Sequence, residues 1–210
     1  MQELENLIEQ RDIQADGFGP WYWVKSDNGA WDGPCKDWET SHKIKYFTYI
    51  KGYHAVLTAG ANLGMYSHFY SKMFDVVWAF EPDYLNFHCL VNNNQLPNVI
   101  KMQAILGSEC GVAGINQENM SNVGMHKVKN DGFIPKLTID SLNLPFLDLL
   151  QLDVEGYEYP ILQGAIETIK KFLPVVVAEN GESNDIRELM IGLGYHCVDR
   201  SISDSIWIPN

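Results

Sequence analysis

Ala55-Val-Leu-Thr-Ala-Gly-Ala-Asn-Leu-Gly-Met-Tyr-Ser67 is the stretch whose reading decides the fold. An apolar run, Ala55 to Leu57, ends in a turn of small residues, Ala59-Gly60-Ala61. Beyond Asn62 and Gly64, apolar side chains recur at helical spacing: Leu63, Tyr66, Phe69, Tyr70, Met73 and Phe74. This is a buried strand, a glycine turn and a helix start, the first half of a nucleotide-binding α/β unit. A second apolar run, Val76-Val-Trp-Ala-Phe80, ends on Glu81, 21 residues past Gly60. Such folds place a carboxylate there to accept hydrogen bonds from a ribose.

The turn also excludes one class of nucleotide. A dinucleotide fingerprint wants glycines at its first, third and sixth positions, so that backbone amides can close on a pyrophosphate. Counting from Gly60, the third position is Asn62 and the sixth is Met65, which argues against a nicotinamide oxidoreductase. A Gly-x-x-x-Gly turn with a ribose-binding acid suits a nucleoside without phosphates. In these features the sequence resembles the FkbM family of S-adenosylmethionine-dependent methyltransferases. The matching pieces are Gly60-Ala-Asn-Leu-Gly64, Phe80-Glu-Pro-Asp83, Thr138-Ile-Asp-Ser-Leu142, Leu149-Leu-Gln-Leu-Asp-Val-Glu-Gly-Tyr-Glu158 and Leu162-Gln-Gly-Ala165. They run in family order over roughly residues 54 to 180.

The resemblance implies a class I methyltransferase: a Rossmann-like, mostly parallel seven-stranded sheet with an antiparallel end strand and helices on both faces. It implies S-adenosylmethionine as cofactor, and an oxygen on a carbohydrate or small secondary metabolite as acceptor. Thr58, Gly60, Asn62, Gly64, Glu81 and Asp153 are then expected at the cofactor, with Ala104 or Ile105 lining the base pocket. Asp153 and Glu155 belong to the Asp-x-Glu-Gly-x-Glu signature and are expected at the reacting end. The sequence departs from the family in two places. Thr58 stands where an acid is usual, and Gln151 where a lysine is common. The first departure motivates a rival reading, a cofactor- or partner-binding module without turnover.

The rest of the chain fits around this core. With 210 residues and 46% hydrophobic content, it is long enough for one domain with a sizeable core. Residues 53–210 read as the cofactor-binding domain, and 1–52 as N-terminal helices with a tryptophan-rich cap or lid. In that segment Leu4, Leu7 and Ile8 suggest a helix over 1–16, Trp21 to Val24 a hairpin with Ala30 and Trp31, and Asp37 the cap of a helix reaching Lys51. Later strands are expected at 99–105, 146–152, 174–178, 195–198 and 206–208, and helices at 83–93, 157–171 and 185–193. Residues 107–136, punctuated by five glycines, read as a hairpin or flexible excursion beside the site. It carries Asn122 and His126, the latter a candidate for catalysis or acceptor binding.

Charge and cysteines bound the partners. A net charge of −12 with no Lys/Arg run disfavours nucleic acid. No apolar run approaches a membrane span, and no signal peptide opens the sequence. Cys35, Cys89, Cys110 and Cys197 are scattered, as in a cytoplasmic protein with free, mostly buried thiols. Asp153, Glu179 and Asn180 offer oxygens at adjacent strand ends that suit a divalent ion. Methyl transfer requires none, and no metal is expected. Nothing in the sequence fixes an oligomeric state.

Overall fold

Apolar runs without in/out alternation are buried on both faces, and here they form the parallel centre of one sheet. The computed structural model describes residues 6–12, 19–28, 42–117, 121–179, 181, 183–200 and 204–210. Its seven-stranded sheet contains β3 (Ala55–Ala59), β4 (Val76–Phe80), β5 (Val99–Met102), β9 (Leu149–Leu152), β10 (Val175–Glu179), β11 (Tyr195–Arg200) and β12 (Asp204–Pro209), in the order β11-β12-β10-β9-β3-β4-β5. From β3 the chain winds outward through β4 to β5, then returns to β9 and winds the other way. The switch point therefore lies between β3 and β9, where ligands of open α/β sheets bind. β12 is antiparallel to both β10 and β11. The antiparallel strand is thus last in the chain but one place in from the sheet edge.

Helices cover both faces. On one side α3 (Glu158–Gln163), α4 (Ile166–Phe172) and α5 (Asn184–Gly192) bury Ile161, Leu162, Ile169, Ile186 and Met190 against Leu57, Leu150, Leu152 and Val176. On the other, a 3₁₀ helix (His42–Tyr49), α1 (Met65–Ser71) and α2 (Tyr84–Asn93) contribute Tyr46, Tyr70 and Leu90 against Val56, Val77, Leu149 and Val177. The single helix expected over 157–171 is broken at Gly164. Gly164 packs so closely on Gly107 that a Cβ would lie 2.0 Å from its carbonyl oxygen. The Asp140 carboxylate then restarts the helix by accepting from the backbone N–H groups of Glu167 and Thr168.

The N-terminal segment differs from its expectation. Ile8–Asp12 is a strand, β1, and not part of a helix; it pairs antiparallel with β2 (Pro20–Val24). The alternation of Trp21 and Trp23 inward decides this, because the pairing lets both rings reach the core beside Leu63, Leu85 and Cys89. Ala30, Trp31 and Asp37 lie outside the described residues. The described part of the excursion after β5 is regular: β6 (Ile105–Leu106), β7 (Gly111–Asn116) and β8 (Lys127–Leu137) make a second sheet in the order β6-β8-β7. Of the cysteines described, Cys89 is buried, Cys197 half-buried and Cys110 exposed, so burial of the thiols is less general than expected. No helix among the described residues is long and apolar enough to cross a membrane.

Candidate active site

Three strands end at one place because two backbones touch. Gly60 follows β3 with φ +77°, and a Cβ there would lie 1.8 Å from the Asp153 carbonyl oxygen after β9. Asp153 N–H donates to Ala59 O at 3.1 Å, locking the two strand ends together. Only glycine satisfies both the left-handed conformation and this approach.

The turn's amides are already used. Gly60 and Ala61 N–H both donate to Phe80 O, at 3.0 and 2.9 Å. Asn62, at φ 49°, donates its N–H to Glu81 Oε2 at 2.7 Å. No nest of free N–H groups remains at residues 60–62 to cradle a phosphate. Glu81 Oε1 accepts from Asp83 N–H at 2.9 Å, so each carboxylate oxygen is aimed by one backbone donor and keeps lone-pair capacity. Burial pushes Glu81 up to about 7, with the two N–H donors opposing the rise.

A cavity of about 280 Å³ opens over this junction. Its walls bring together Gly60, Asn62, Glu81, His126, Asp153 and Glu155 of the expected site residues. Thr58, Gly64 and Ala104 are elsewhere. Thr58 is buried within the sheet, 1% exposed, and Ala104 packs into the core with Phe80 and Leu106. Gly64 starts α1 at φ 92° and fits against α2, its carbonyl accepting from Asn94 Nδ2. These three residues shape the scaffold and do not line the cavity.

At the far end, Asp153, Glu155 and Glu179 bring carboxylate oxygens within 4.8 Å of one another. Burial, and then the neighbouring Asp153, push Glu179 up to about 8. Burial, then Asp153, also raise Glu155, against the pull of Lys127. Glu155 is held at φ 54°, a conformation non-glycine residues rarely adopt. The three acids have the donor type for a divalent cation; Asn180 lies outside the described residues. Glu158 turns the other way, accepting from the N–H groups of Gly156 and Val154, and so braces the loop between β9 and α3.

The second sheet supplies the remaining wall. The segment between β7 and β8 places Asn122, Val123, Met125 and His126 on the cavity, with Ile115 and Val128 beside them. It is pinned by the first turn of α2. Asp83 caps that helix through Leu85 and Asn86 N–H, while its other oxygen accepts from Gln117 and faces His126 Nδ1 at 3.2 Å. Burial alone would raise Asp83, but His126, Asn86 N–H and Gln117 outweigh it and hold the carboxyl below its usual value. His126 thus sits at the Glu81 end of the cavity. Asn86 Nδ2 donates to Val123 O at 2.9 Å, and Asn28 N–H in the β1–β2 unit donates to Ser121 O at 2.8 Å. The described part of the tryptophan-rich segment therefore braces this wall from behind and has no residue on the cavity itself.

Sequence reading missed Met65, Tyr66 and Asn86 on the walls. Tyr66 and Met65 follow directly from a glycine turn opening a helix, since the first turn of that helix must face the strand ends. Asn86 had a signal too: three residues past the cap Asp83, it lies on the same helix face.

Sheet order, switch point, glycine turn and strand-end acids define a class I methyltransferase fold. Residues 59–197 match the methyltransferase FkbM domain, and the chain belongs to that family. It is 27% identical over 141 residues to the hexuronic acid methyltransferase AglP of Haloferax volcanii, covering 62% of this chain and 59% of that protein. Methyltransferase FkbM from Methylobacillus flagellatus KT aligns with a TM-score of 0.53 at 18% identity, over 73% of this chain and 43% of that one. Trm5b from Pyrococcus abyssi gives 0.52 at 14% identity, over 96% and 55%. The chain spans about three-fifths of the length of the curated relative.

Proposed function

We propose that this chain transfers a methyl group from S-adenosylmethionine to an oxygen on a carbohydrate or small metabolite. One observation carries the reading: Glu81, buried and aimed by two backbone donors, shares a single cavity with Asp153 and Glu179. The spent amides of the turn support a nucleoside over a dinucleotide. Bound there, S-adenosylmethionine supplies an activated methyl group on a sulfonium. Glu81 would accept from the ribose hydroxyls with Asn62 at the same end, while Tyr66 stands toward Asp153 and Glu179. Asp153 would hold the methionine end or orient the acceptor. Displacement of this kind is governed by alignment, and a hydroxyl acceptor also needs a proton acceptor. Glu179, raised toward neutrality, suits that role, with Glu155 beside it. The AglP relative acts on a hexuronic acid and supports a carbohydrate-type acceptor; the net charge of −12 supports a partner other than nucleic acid.

His126 would help shape the nucleoside end through Asp83, a reassignment from the catalytic or acceptor-binding role expected of it. The rival reading, a module without turnover, rested on Thr58. That residue has no place on the cavity wall, which favours the enzyme. Calorimetric titration with S-adenosylmethionine tests the proposal. Binding in the micromolar range, weakened at least tenfold by Glu81→Ala, is the expected result. No binding at millimolar cofactor would refute it.

A further inference from the structure

The cavity's charge is one-sided. Glu81, Asp153, Glu155 and Glu179 line it, and among the described residues no lysine or arginine does. Two basic groups stand nearby without lining the acid cluster: His126 faces Asp83 at 3.2 Å, and Lys127, exposed and off the cavity wall, only partly offsets the rise of Glu155. Three of the four acids crowd within 4.8 Å, an arrangement that costs energy unless a proton or a cation sits among them.

We propose, on the reading that S-adenosylmethionine occupies this cavity, that its reacting end selects for positive charge. It holds the sulfonium cofactor in preference to the neutral thioether product. The two cofactor forms share their adenosine and amino-acid ends and differ by one methyl group and one positive charge. Their affinity ratio therefore isolates the field of the carboxylates. That field is strong because partly buried charges interact at a low effective dielectric and are poorly screened by salt.

The reaction moves the positive charge from the cofactor's sulfur to a strand-end carboxylate as a proton. The acceptor oxygen forms its bond to the methyl carbon, the carbon–sulfur pair returns to sulfur, and the acceptor proton passes to a carboxylate at the strand ends. S-adenosylhomocysteine then lacks the cation and is released more readily than the fresh cofactor.

Calorimetry with S-adenosylmethionine and S-adenosylhomocysteine, on the wild type and on Glu155→Gln, tests this. The expected result is at least threefold tighter binding of the sulfonium form, with the ratio reduced threefold or more in Glu155→Gln. Equal or tighter binding of the thioether by the wild type overturns the inference while leaving the cofactor assignment intact. Failure of both to bind overturns the cofactor assignment, and this inference with it.

Discussion

Replacing Gly60 with alanine adds a Cβ 1.8 Å from the Asp153 carbonyl oxygen, in a residue held at φ +77°. The two costs can be separated. Left-handed backbone costs an L-residue about 1–2 kcal/mol. The clash is between two backbones, so no side chain can swing away. The ends of β3 and β9 must part, and the Asp153 N–H bond to Ala59 O, 3.1 Å long, weakens with them. Losing that bond costs about 1 kcal/mol, and loosening the buried Ala59 and Leu152 packing costs about another 1 kcal/mol. The sum is about 3–4 kcal/mol. For a chain of this size each kcal/mol lowers the melting midpoint by about 2–4 °C, so Gly60→Ala should melt roughly 10 °C lower. Gly156 isolates the first cost, since it has φ +95° but open space where a Cβ would go. Gly156→Ala should therefore lose only about 1–2 kcal/mol. Gly192 has neither positive φ nor a close neighbour, and Gly192→Ala should stay within about 1 kcal/mol of the wild type. Urea denaturation of the three variants gives the differences. A Gly60→Ala loss no larger than that of Gly156→Ala would refute the claim that the Gly60–Asp153 approach holds the site together.

In the proposed cofactor site Glu81 would have to be ionised to accept from two ribose hydroxyls, and burial pushes it up to about 7. Cofactor affinity should therefore fall as pH drops below about 7, approaching tenfold per unit, and Glu81→Gln should flatten the profile; a flat wild-type titration would contradict this. Asp83 should be worth about 3 kcal/mol to the fold at pH 7, through its cap and its contacts to Gln117 and His126. Its folded value lies below the ordinary 3.8, so this stability is present above that pH and lost as pH falls through the folded value. The gap between wild type and Asp83→Ala in chemical denaturation should accordingly narrow in strong acid. If Glu179 takes the acceptor's proton, kcat/KM should rise through a pH of about 8, and Glu179→Gln should abolish that limb. Thr58→Asp and Gln151→Lys should each cost about 3 kcal/mol or more as unpaired buried charges, while the double variant recovers at least about 1 kcal/mol of their sum. Strict additivity in denaturation midpoints would show that the two positions do not interact.

What the sequence discloses follows the range of the interactions involved. The parallel strands were legible because burial on both faces writes itself as a continuous apolar run, as in Val175–Ala178. The turn after β3 was legible because Gly60 and Glu81 obey local rules. The break at Gly164 was not, since its cause is the carbonyl of Gly107, far away in the chain. β1 escaped for a related reason: its pattern of one buried residue, Ile8, gives little period to read until β2 is beside it. His126 was visible as a candidate but its place was not. Asp83, which fixes it, reads in sequence only as a helix cap, and nothing local says that a single carboxylate performs both tasks.

Thr58 and Gln151 show how a departure from a family pattern changes meaning once strands are paired. Taken singly, a missing acid at the end of β3 points to a weakened cofactor site. The register places Thr58 directly opposite Gln151, on the same sheet face as Val56, Leu149 and Val177. Both side chains are buried, and Gln151 Oε1 accepts from Tyr70, which in turn shares a 2.6 Å hydrogen bond with Tyr46. Tyr70 spends its proton on Gln151, so Tyr46 donates to Tyr70, and the chain of polar groups closes without any charge. An acid at one position alone would leave an uncompensated ion in the core, as would a lysine at the other. Exchanging both for neutral partners leaves every buried group satisfiable and keeps the tyrosines beneath the turn in place. The two departures thus face each other in the scaffold under the cavity, and they leave the strand-end acids that face it untouched.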